Sequence, residues 1–375
     1  MPKLTFYPLG NADSCLMDLE NNKKLLFDYA DMRCKDDKDD KRVDLPKLLR
    51  DDLKANRRDY YEVVSISHLD TDHFKGFSEF FHLEHDSKYQ DDDRIKIKEL
   101  WVPAAAIVEE KDTLDEEHLI VQKEARYRLK NRQGIRVFSR PALLKDWLES
   151  QGMSLDDVCH LITDAGQVVP NFSKAVDGAE FFVHSPFAKR LDDCELVDRN
   201  RDSIAMQVTF SYNGVETKFI LAADTTHEEM TEIVDITKFH EREERLEWNV
   251  MKLSHHCSYK SLGPDKGETK TEPVENVKFL YEEKGQSGGI IVSPSDIIPT
   301  VDTIQPPHFQ AANYYRDVVS QKKGEFIVTM EHPNKTYPAP LVIRINAYGA
   351  VVEKLNAMGA MGSVSSSAPR AGADE

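Results

Sequence analysis

The stretch VVSISHLDTDHFKGF, residues 63–77, places His68, Asp70, Asp72 and His73 within six positions. Imidazole nitrogens suit Zn, Fe, Mn and Ni, and carboxylate oxygens suit harder ions such as Mg and Mn. The apolar run ahead of them reads as a buried strand. At a strand end, His68 and Asp70 are two apart and can point the same way. Asp72 and His73 follow from the next turn and helix start, so four donors can converge. The competing reading is an acidic helix cap, with Asp70 or Asp72 accepting from the helix FKGFSEFF. Taken alone, the stretch leaves both readings open.

Other strands end in the same manner. LLF runs into Asp28, FILAA into Asp224, VMKLS into His255 and His256, and IIVS into Pro294, Ser295 and Asp296. Strand ends of this kind present side chains on one rim of a sheet, where loops on a rigid scaffold form sites. A pair of metal ions about 3.5–4 Å apart needs a bridging carboxylate and donors from both halves of a chain. This sequence supplies that set in order, which favours the metal over the cap.

The elements that must hold these residues read as follows. KLTFYPLG and KKLLFDYA are short strands, and KDDKDDKRVD is a solvated loop. LPKLLRDDLKANRR has helical spacing with Pro46 near its start. YYEVVSISH is a buried strand, IKELWVP and GIRVFSR are strands, and DEEHLIVQKEARYRLKNRQ between them is a helix with a basic second half. AEFFVHSP, SIAMQVTFSYNG and ETKFILAAD read as three successive strands, the last two joined by a hairpin turn at Asn213–Gly214. A helix THEEMTEIVD, strands LEWNVMKLSHHCS and GGIIVSPSD, a helix HFQAANYYRDVVSQKK and strands EFIVTME and LVIRINAYGAVVEKL follow. This order suits a helix–sheet–sheet–helix sandwich. One composite domain is expected over 1–357, with a disordered polar tail over 358–375.

Composition bounds the function. Lys and Arg number 49 against 66 Asp and Glu, a formal net charge of −17, which argues against non-specific coating of nucleic acid. The five cysteines form no CxxC pair, so a disulfide framework is not expected and a reducing compartment fits. MPKLTFYPLGNADS lacks a basic segment followed by an apolar one, so no signal peptide is expected. No apolar run is long enough to span a membrane. The expected location is cytoplasmic.

Together, Asp28 in LLFDYA, SHLDTDHFKG, ILAAD at Asp224 and LSHHCS at His255 resemble the metallo-β-lactamase superfamily. Within it the pattern is similar to the branch containing the C-terminal domain of the competence protein ComEC. NRDS at Asn200–Ser203 and the pair Pro307–His308 add to that likeness. The resemblance runs from about residue 3 to about 355 and implies an α+β, four-layer αββα sandwich and a metal-dependent hydrolase with two divalent ions, Zn, Mn or Mg. It implies that His68 and Asp70 bind a first ion, that Asp72, His73 and His255 bind a second, that Asp224 bridges them, and that Asp28 orients a ligand from behind.

The usual second motif is HxHxDH, and here Asp70 takes the place of its second histidine. The third-motif histidine has no counterpart in DRNRDS, the segment that should hold it. His184 in FFVHSP and His160 in VCHLI are the candidates, with His184 read either as a ligand or as a pocket or core histidine. The glycine of the HHGS loop is Cys257, either a buried thiol or a redox or metal group.

In such a site the ions lower the pKa of water toward neutrality, and Asp72 is a plausible proton acceptor. His256, Ser258, Lys260 and Lys75 could donate to a phosphate oxygen, with solvated charge as the alternative for the lysines. His308, opening a helix, could protonate a leaving alkoxide or be a plain helix-start residue. The carboxylate at 70 leans toward hard ions and so toward a phosphodiester, DNA or RNA among the options, with KEARYRLKNRQGIR as a guide for the backbone. A carbonyl substrate (thioester, lactone or lactam) and a non-catalytic binding or regulatory subunit of a bacterial defence-type system, with protein partners from a shared operon, are the alternatives.

Overall fold

The structure is a computed structural model that describes residues 1–110, 114–194 and 197–354, with only the backbone at Cys194. The tail expected at 358–375 lies outside the described residues. The chain builds one sheet, then a second, then returns to the first. The strands are β1 (Lys3–Phe6), β2 (Cys15–Asp18), β3 (Lys24–Phe27), β4 (Tyr60–Ser65), β5 (Lys96–Pro103), β6 (Ile135–Phe138) and β7 (Ile162–Thr163). The second sheet holds β8 (Ala179–Ser185), β9 (Ala205–Tyr212), β10 (Val215–Ala222), β11 (Trp248–Lys252), β12 (Gly285–Ser293) and β13 (Glu325–Val328). Last come β14 (Leu341–Asn346) and β15 (Gly349–Val352). The first sheet runs β15-β14-β1-β2-β3-β4-β5-β6-β7 and the second β13-β12-β11-β10-β9-β8.

The layers follow from the period-two alternation of the strands. Phe6, Phe27, Val63 and Trp101 face Phe181, Val208, Phe219 and Val250 in a core between the sheets. The alternate residues Leu26, Val64, Leu100 and Val102 face outward onto Leu49, Leu53, Val121 and Leu129 of helices Leu45–Ala55 and Glu116–Lys130. On the far side, Ile220, Met251 and Ile291 pack under Ile233 and Val234 of helix His227–Phe239 and Tyr315 and Val318 of helix Phe309–Lys322. Three cores between four layers make the αββα sandwich.

Local chemistry sets the boundaries. Asp44 caps its helix by accepting from Lys47 N, with Pro46 in the first turn. Thr226 and Glu229 form a reciprocal capping box. The β9–β10 hairpin turns at Asn213 (φ 50°) and Gly214 (φ 78°), the left-handed pair that a tight two-residue turn requires. The helices Ala104–Val108 and Ala142–Ser150, which the sequence reading passed over, start on Pro103 and Pro141.

Parallel pairing of β3 with β4, and of β10 with β11 and β12, sends the carboxyl ends of these strands to one rim. Among the described residues, no helix is long and apolar enough to cross a membrane.

Candidate metal centre

Asp28 follows β3 in a left-handed conformation, φ 58°, one that aspartate tolerates better than most residues. The turn aims its buried carboxylate at the loop after β4. Oδ1 accepts from Ser67 N at 2.7 Å, and Oδ2 accepts from Ser67 Oγ and from His73 Nδ1, each at 2.8 Å. A carboxylate on Nδ1 fixes the ring and leaves Nε2 facing inward. His73 Nε2 is buried without a hydrogen bond, 3.4 Å from Asp224 Oδ1.

Around it stand the remaining donors. Asp72 Oδ2 lies 2.9 Å from His256 Nε2, and Asp224 Oδ2 lies 3.7 Å from the same nitrogen. One donor atom from each of Asp72, His73, Asp224 and His256 lies within 4.8 Å of every other. Five buried atoms of the neighbourhood make no hydrogen bond: Asp13 Oδ1, His68 Nε2, His73 Nε2, Asp224 Oδ1 and His255 Nδ1. A buried polar atom left unpaired costs about 1–3 kcal/mol, and several in one place mark a set waiting for a cation. The mixed nitrogen and carboxylate donors fit a divalent ion of the Zn or Mn kind.

The electrostatics agree. Burial disfavours charge on His73, but Asp28, Asp224 and Asp72 outweigh it and hold the imidazole well above its ordinary value. Burial likewise opposes charge on His256, and Asp224 with the Asp72 hydrogen bond raises it to about 9. Asp224 sits well below the carboxylate range, burial being overcome by His256 and His73. The buried carboxylates of this pocket favour positive charge beside them.

The helix-cap reading of position 70 is excluded. Asp70 occupies the N-cap of the short helix Thr71–Phe74, yet its side chain makes no cap hydrogen bond. Oδ1 meets Arg199 Nη1 at 3.2 Å and Oδ2 lies 3.6 Å from His68 Nε2. His68 and Asp70 thus form a pair beside the group of four. His256 stands in that group, while His255, its expected member, is 3.8 Å from Asp224 and more exposed. The turn that carries both holds His255, His256 and Cys257 at φ 50°, 51° and 63°. Cys257 thus takes the left-handed geometry of the glycine it stands for, at a cost in strain. Its thiol is fully buried and pushed up to about 12, which makes it inert.

The other expected residues lie further out. His184 faces away from the inter-sheet core, donating from Nε2 to Arg245 O at 3.0 Å beneath helix His227–Phe239; burial pushes it down to about 4. It is a pocket histidine, and His160 is exposed. Asn200 O accepts from Ser203 Oγ at 2.6 Å and builds the turn into β9. His308 is buried with both ring nitrogens on backbone, Tyr259 N at 3.4 Å and Ile304 O at 3.3 Å, so its one proton is held by a carbonyl. Ser258 Oγ accepts from Lys260 N, and Lys260 and Lys75 point to solvent. Within the basic run, Arg128 is buried on Glu124, Arg136 is buried on Glu99 and Arg126 lies over Trp147, while Lys123, Lys130 and Arg132 are exposed.

Three residues of the site were not foreseen. Asp13, in the β1–β2 loop, is buried with one oxygen on Lys252 Nζ and 3.7 Å from His73 Nδ1. Lys252 also donates to Ala222 O of its own sheet at 2.7 Å, so its Asp13 contact links that sheet to the first beneath the centre. A lysine inside the apolar run VMKL was the available signal, since a fully buried lysine is rarely unpaired. Arg199 had no such signal, because its partner Asp70 lies 129 positions away.

No family model matches the chain, and no curated protein matches it. The fold is similar to the crystal structure of unliganded yeast PDE1, with a TM-score of 0.41 and 9% identity over 88% of this chain and 97% of that one. At that TM-score and identity the likeness says nothing about activity.

Proposed function

We propose that this chain is a metal-dependent hydrolase acting on a phosphodiester. The observation that carries the metal reading is the convergence of Asp72, His73, Asp224 and His256 around unpaired buried donor atoms. A divalent ion held there supplies Lewis acidity and a water acidic enough to ionise near neutral pH. The chain's own groups do the rest. Asp28 and Ser67 lock His73 in one tautomer and orientation. Asp72, with 29% of its side chain exposed, is the carboxylate of the group open enough to take a proton from solvent or substrate. His255, at 23%, stands at the mouth beside it. Two carboxylates in the group favour hard ions, the usual partners of phosphate oxygens.

The test is a panel with Mn, Mg and Zn: bis(p-nitrophenyl) phosphate, single- and double-stranded DNA and RNA, and a thioester, a lactone and a β-lactam. Phosphodiester cleavage that disappears in Asp72→Ala is the expected result. Turnover confined to the carbonyl substrates defeats the phosphodiester reading. The nucleic-acid arms decide whether the enzyme is a nuclease.

A further inference from the structure

Resting on the metal-dependent reading, we infer that this chain holds one divalent ion, in the group Asp72, His73, Asp224 and His256, and that the Arg199 guanidinium stands in for a second.

The resemblance assigns the second position to His68 and Asp70. Among the described residues, two groups can surround a cation, and neither includes His68 or Asp70. One Asp70 oxygen is taken by Arg199 Nη1 at 3.2 Å. Arg199 is no loose surface arginine. Its Nε and Nη2 reach Glu109, itself buried, at 2.7–3.2 Å, and His118 Nε2 lies 3.2 Å from Nη1. His118 is held in turn by Asp115 at 2.6 Å. A guanidinium fixed this way stays charged at every working pH and repels a dication bound next to it. Its Nη1 finds a charged acceptor in the carboxylate at position 70, which a neutral imidazole there would not offer. The aspartate and the arginine explain each other. The absence of a histidine in DRNRDS fits the same picture, because the segment that should bring a ligand brings Arg199.

One observation sets up the decisive variant. His68 Nε2 is buried and unpaired. With the guanidinium gone, His68 Nε2 and Asp70 Oδ2, 3.6 Å apart, face no fixed cation.

The experiment loads the full chain with excess Mn2+, removes unbound ion, and reads metal content together with the electron paramagnetic resonance spectrum. The expected content is about one ion per chain with the spectrum of an isolated ion, and Arg199→Met moves it toward about two with a coupled spectrum. His68→Ala leaves the content unchanged, which decides the matter if Arg199→Met does not fold. About two coupled ions in the unaltered chain, a loss of metal in His68→Ala, or a folded Arg199→Met still at one ion overturns the inference while leaving a metal hydrolase. No bound ion at all overturns the reading beneath it.

Discussion

At the residue scale, the site depends on how few atoms determine its geometry. Asp28 accepts three hydrogen bonds, two from Ser67 and one from His73. Replacing it by alanine frees the His73 ring and its tautomer. Metal affinity in Asp28→Ala should fall about 10–100-fold, measured by competition with a chelating dye; an unchanged affinity contradicts the role given to it. His256→Ala removes a donor of the group and should abolish stoichiometric binding, whereas His308→Ala, whose ring touches only backbone and the Tyr259 ring, should leave metal content intact and soften the turn. Asp28 and Asp224 were legible because each ends an apolar run, and Asp72 and His73 because they follow one within a turn. The choice between His255 and His256 was not, because adjacent residues in a left-handed turn point in directions that no periodicity encodes.

At the element scale, helices hold the loops between strands. Glu124, on helix Glu116–Lys130, is buried and accepts from Glu84 N, His85 N and Arg128. Burial would raise its carboxyl, but the His85 hydrogen bond and Arg128 bring it down to about 2 from 4.5. A carboxyl lowered on folding stabilises fully above its unfolded value and loses that contribution as pH falls through the folded one. A shift of this size corresponds to about 3 kcal/mol. Urea unfolding should therefore show Glu124→Gln less stable by about that amount at pH 7, with the gap closing between pH 4.5 and about 2. A gap that does not narrow on acidification rules out this linkage. Thr226→Ala, which removes half of the capping box after Asp224, should cost about 1 kcal/mol by the same measurement. Both helices were read from the sequence, but their caps were not. The Glu124 network was not, since its partners come from a loop 40 positions away.

At the scale of the whole molecule, the two sheets meet through a large apolar core, and Lys252 of one also reaches Asp13 in a loop of the other. Breaking a buried pair by removing one partner costs about 3–5 kcal/mol because the remaining charge is stranded. Lys252→Met should show a loss of that order in chemical denaturation, and the double variant with Asp13→Leu should lose less than the sum of the singles. Strict additivity shows that the two do not act as a pair. An ion that binds the folded chain alone also stabilises it by mass action, so chelation should lower the melting temperature and re-addition of Mn2+ restore it.

The sequence by itself determined the layers and the rim. Alternating apolar strands have to bury both faces of two sheets, and polar residues after them have to lie where the strands end. It also determined that Asp28, Asp72, His73 and Asp224 share that rim. Only the tertiary structure decided what surrounds them. It set His256 among the donors, turned His184 to the outer face of β8, buried Arg128 of the basic helix against Glu124, and brought Asp13, Lys252 and Arg199 to the centre. Those outcomes depend on contacts between residues far apart in the chain, and on the cost of burying charge without a partner. That cost is settled only once the sheets have closed on each other.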